Sequence, residues 1–65
     1  MIQNQELFNE LYSFNDSDKR KKTLIVSKGE DERAGRIIYE HDWPIKIIKN
    51  KARRDGTVKL VLEKL

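Results

Sequence analysis

Leu7, Leu11 and Phe14 recur at i, i+4 and i+7, with Phe8 and Tyr12 on an adjoining strip, so residues 4–14 carry one wide apolar stripe of helical period. An amphipathic helix is predicted there. Asn4 stands at the N-cap position, and Glu6 and Glu10 place negative charge toward the helix start, where the macrodipole favours it. The polar run Asn15-Asp16-Ser17-Asp18 ends the pattern. Lys19-Arg20-Lys21-Lys22 follows before any new apolar residue, so 15–22 reads as a solvated basic linker.

From Thr23 the pattern changes to β-branched and aromatic residues in short blocks separated by turn formers, which predicts successive strands. Four are read: Thr23–Lys28, Arg36–Glu40, Ile45–Lys49 and Thr57–Glu63, with polar connectors at 29–35 and 50–56. Gly29 and Gly35 bracket the first connector, and Asp55-Gly56 closes the second. Trp43-Pro44 separates strands two and three, because proline cannot donate to a ladder. A rival reading makes Glu30–His41 a second helix with Ser27 and Glu30 as a capping box. Gly35 in its middle and the run Ile37-Ile38-Tyr39 count against it.

Two-residue parity puts Val58, Leu60 and Leu62 on one face of the last strand and Ile45 with Ile47 on one face of the third, where the helix stripe can cover them. Val61, Ile48 and Ile25 point the other way. The fold expected is therefore α+β: an amino-terminal helix packed on a four-stranded antiparallel sheet. That sheet either curls into a small barrel, the preferred reading, or has its second face covered by another copy or a protein partner.

Composition narrows the function classes. A chain of 65 residues is one small domain, and at this length a buried catalytic cavity is improbable. Ile, Leu, Val and Phe make up 18 residues, enough to favour folding over disorder. With no cysteine and one histidine, neither a disulfide framework nor a Cys/His zinc site can be assembled, so no metal or cofactor is expected. The amino terminus lacks a basic start followed by an apolar stretch, and the longest aliphatic runs, Leu24–Val26 and Leu60–Leu62, are three residues. A cytoplasmic protein with no membrane association is expected.

Net charge is +3, but its two signs are segregated. Residues 1–18 contain four acids and no Lys or Arg, whereas residues 19–65 hold all 14 basic residues against seven acids, a net of +7. A basic body concentrates polyanions near itself. Its densest part is the carboxy-terminal hairpin, where Lys46, Lys49, Lys51, Arg53, Arg54 and Lys59 surround one turn opposed only by Asp55. Side chains on one hairpin face project together, and a guanidinium matches phosphate oxygens in a bidentate way, so this segment is the candidate for nucleic-acid phosphates. Lys21 and Lys22 are an auxiliary arm, Arg36 a further contact, and Trp43 a platform on which a base could stack, with Tyr39 a second candidate. A run of charges is more often a solvated face, and lysines on an edge strand also prevent aggregation. Glu40-His41-Asp42 makes a poor catalytic centre, because neighbouring strand residues face opposite sides.

The sequence thus predicts a small DNA- or RNA-binding protein of low sequence specificity that is not an enzyme. The alternative is an interaction module or inhibitor that docks on an acidic or apolar protein surface.

Overall fold

The computed structural model describes residues 4–65, with side chains from Glu6 onward, so the capping expected of the Asn4 side chain lies outside the described residues. Helix α1 spans Asn4–Asp16, followed by strand β1 (Lys21–Ser27), helix α2 (Glu30–Glu40), strand β2 (Ile45–Ala52) and strand β3 (Thr57–Lys64). The strands form one antiparallel sheet in the order β1-β3-β2. Both helices lie on one side of it.

Helix α1 follows the apolar stripe as expected and runs two residues further. Leu7, Leu11 and Phe14 are buried, while Phe8 is half-buried and Tyr12 stays exposed at the side of the stripe. The Ser17 hydroxyl donates to the Phe14 carbonyl at 2.8 Å and accepts from Lys19 N–H, which closes the helix end. The basic linker is shorter than read, because Lys21 and Lys22 already belong to β1.

The segment Arg36–Glu40 is not a strand. It is the second half of α2, so the sheet has three strands rather than four. Topology supplies the reason. Both β1 and β2 run antiparallel to β3 and hence parallel to each other, and parallel strands need a crossover long enough to return along the sheet, typically a helix. Ala34 and Ile38 sit at i and i+4 and are buried, with Ile37 packed beside them. That apolar stripe outweighs the propensity cost of one glycine and of β-branched residues. Glu30, Asp31 and Glu32 fill the first turn, where the helix dipole stabilises them.

The rival reading starts the second helix at a Ser27 cap, but its N-cap is two residues later. Gly29 is the N-cap, at φ 97°, and its N–H donates to the Asp31 carboxylate at 3.1 Å. The other end closes by a Schellman arrangement: Trp43 N–H donates to the Ile38 carbonyl and Asp42 N–H to that of Tyr39, with Asp42 at φ 53°. Glu40-His41-Asp42 is therefore a helix terminus rather than part of a strand.

The sheet is open and not a barrel, as three strands are too few to close. Its covered face carries Leu24 and Val26 from β1, Val58, Leu60 and Leu62 from β3, and Ile45 from β2, all buried with the helix stripes in one core. The parity read from the sequence holds for β3, where buried and partly exposed residues alternate from Thr57 to Glu63.

Two glycines differ in what they require. Gly29 needs its positive φ, whereas a Cβ on Gly35 would meet only Ile47 Cδ1 at 3.9 Å, an ordinary contact, within a regular helix. Gly35→Ala should raise unfolding free energy by up to about 1 kcal/mol and Gly29→Ala should lower it by a similar amount. Urea denaturation monitored by circular dichroism reads both signs.

Candidate functional site

The face of the sheet turned away from the helices is set by the odd-numbered residues of β3: Thr57, Lys59, Val61 and Glu63. Register with β1 adds Lys21, Thr23, Ile25 and Ser27 to this face. Register with β2 adds Lys46 opposite Glu63, Lys49 opposite Val61 and Lys51 opposite Lys59.

Lys46 and Lys49 could not share a face on a regular strand, because residues three apart point to opposite sides. They share it here because the register shifts between Ile47 and Lys49. This β-bulge inserts Ile48 as an extra residue and inverts the parity of everything after it. Without it, Lys49 and Lys51 would point toward the helix side. With it, Asn50 takes that side, and its side-chain amide donates to Asp31 on α2 at 2.9 Å. That hydrogen bond is the main reason the Asp31 carboxyl is held below its ordinary range.

The hairpin that joins β2 to β3 is a tight turn. Gly56 N–H donates to the Arg53 carbonyl and Arg53 N–H to that of Thr57, with Gly56 at φ 85°. This is the pattern of a type I turn followed by a left-handed glycine. Asp55 accepts from both the Thr57 N–H and its hydroxyl, chiefly the latter, and its pKa is lowered accordingly. The one acid at the tip is thus occupied in shaping the turn.

Ile25, Lys49, Lys51, Arg53 and Lys59 line a shallow hollow of about 350 Å³ on this open face. Arg54 lies exposed at the turn. Lys21 is on the same face at the far edge, within 3.7 Å of Glu63. Among the described residues, Lys46, Lys49, Lys51, Lys59 and Arg54 form no ion pair.

The acids gather elsewhere: nine of the 11 lie on the helices or beside their ends, leaving only Asp55 and Glu63 on the hairpin strands. The open face is basic, whereas on the helix side acids and bases are mixed, with Lys22 beside Glu10 and Arg33 beside Glu30.

Four of the residues singled out from the sequence are not on this face. Lys22 points to the helix side and pairs with Glu10 at 3.1 Å. Arg36 lies on α2, beside a separate hollow that it lines with Arg33, Ile37 and Glu40. Trp43 is packed against the core, stacked on His41 at 4.8 Å between centroids and in contact with Phe8 and Tyr12. Tyr39 is 85% exposed, but on α2.

The aliphatic floor of Ile25 and Val61 was visible from parity as an uncovered apolar surface. Its coincidence with the basic residues was not. A row of cations over a shallow aliphatic floor can receive an extended polyanion. No protein-family model, curated protein or solved structure matches this chain.

Proposed function

We propose that this chain binds nucleic acid through phosphate contacts made by the open face of its sheet, with Lys46, Lys49, Lys51, Arg53, Arg54 and Lys59 as the contacting residues. One observation supports this most strongly. Lys51 stands directly opposite Lys59 in register, flanked by Lys49 and Arg53, with no acid between them. Like charges placed opposite each other across two strands destabilise a sheet, and among the described residues no acid pairs with either lysine. A polyanionic partner compensates for this.

Contacts of this kind position a protein on nucleic acid without reading bases, so sequence specificity is low and no catalytic step follows. Association of two copies face to face would oppose two basic surfaces, which charge disfavours. Docking on an acidic protein is the competing outcome, and the absence of nucleic-acid binding at low salt would favour it.

The test is a fluorescence-anisotropy titration of a labelled DNA duplex at several salt concentrations. With four to six phosphate contacts, log K should fall against log salt with a slope of about −4 to −5. Undetectable affinity at low salt, or a flat response, would overturn the proposal.

A further inference from the structure

We infer that the nucleic acid this face accepts is duplex DNA rather than a single strand or an RNA helix. The inference rests on the reading above and narrows it to one partner.

Single strands are held largely by stacking of bases on aromatic side chains. None of the described aromatic residues lies on the basic face. Phe14 is buried, Phe8, Tyr12 and Trp43 form one ring cluster on the helix side with His41, and Tyr39 projects from α2. The apolar groups among the cations are aliphatic, Ile25 and Val61, with Thr23 and Thr57 beside them. A charged surface without stacking platforms gains little from an unpaired base.

The layout of charge fits one phosphate line, along β2 and the central strand. Lys46, Lys49, Lys51 and Arg53 run along the β2 margin, Lys59 is on the central strand, and Lys21 marks the β1 margin. Strands lie about 4.8 Å apart, so a three-stranded sheet is roughly 10 Å across between its outer strands. The major groove of B-form DNA is about 12 Å wide and admits a two-stranded β-ribbon, and the backbone separation of the outer strands here is within that width. Docked there, the basic β2 margin approaches one flanking line of phosphates. Ile25, Val61 and the threonines then face the groove floor. An A-form RNA helix offers no such entry, because its major groove is deep and narrow.

The experiment compares full-length protein binding to three labelled 20-mers of one sequence: duplex DNA, single-stranded DNA and duplex RNA. Duplex DNA should bind at least about ten-fold more tightly than either of the others, the excess over the single strand coming from its denser phosphate charge and that over RNA from entry into the major groove. Equal or tighter binding of the single strand or of RNA overturns this inference and leaves the phosphate-binding reading standing. No binding to any of the three at low salt overturns that reading itself.

A second variant tests the stacking argument. Ile25→Trp puts a ring on the basic face and should raise single-strand affinity about five-fold or more, the value of one stacked base. Tyr39→Ala should leave all three affinities unchanged. A loss of single-strand binding in Tyr39→Ala would show that the strand uses the helix side and would contradict the assignment.

Discussion

Converting Lys49 and Lys51 together to Glu should weaken duplex DNA binding several hundred-fold at low salt while leaving the fold intact. A lysine beside a polyanionic surface is worth about 1 kcal/mol, and reversal both removes that attraction and adds a repulsion of similar size, so two reversals cost about 4 kcal/mol. The salt slope should flatten by about two units, one for each lost contact. The same substitutions should not harm stability. Lys51→Glu sets a carboxylate opposite Lys59 and replaces a like-charge pair by an opposite pair, a gain of a few tenths of a kcal/mol to about 1 kcal/mol. Loss of binding together with unchanged or raised thermal stability separates the surface role from misfolding.

The control is Arg33→Glu with Arg36→Glu, which makes the same change in net charge on α2. Only a small, general drop in affinity should follow, because these residues lie away from the open face. If both double variants lose affinity equally, binding follows overall charge and not the layout of the sheet.

The largest stability effect should come from Leu60→Ala. Leu60 is fully buried on the central strand, with Leu24 opposite it in register on one side and Asn50 on the other. Truncating such a residue costs about 2–5 kcal/mol, through lost burial and the cavity left behind. A domain of this size has a total stability of only about 3–10 kcal/mol, so this one change consumes much of it. The variant should lose most of its cooperative thermal transition or melt many degrees lower. Leu65→Ala, at a position 79% exposed, should melt within a few degrees of the parent. A Leu60→Ala protein as stable as the parent would mean that the core is not organised around β3.

Much of this fold was legible in the sequence. The α1 stripe and the alternation along β3 follow from periodicity alone, and the Asp55-Gly56 turn from its residue types. The second helix was read less well, because Ile37-Ile38-Tyr39 and Gly35 look strand-like locally while the need for a crossover between parallel strands is global. Strand order is invisible until β3 is known to lie between the other two.

For the candidate site, the basic residues themselves were evident, but their face was not. A bulge inserts one residue without a compositional signature, and here it decides whether Lys49 and Lys51 join Lys46 or oppose it. Trp43 has basic neighbours in sequence, which by themselves point to a stacking platform. The Schellman closure of α2 turns the chain so that its ring packs with Phe8 and His41.

The convergence of basic side chains on the uncovered sheet face is tested most directly by amide chemical-shift mapping of the labelled protein titrated with a DNA duplex. Perturbations should concentrate on Thr23–Ile25, Lys46–Arg54 and Thr57–Val61, leaving α1 and the exposed side of α2 nearly unmoved. Shifts centred on α2 around Arg33 and Arg36, or scattered evenly over both layers, would contradict the account.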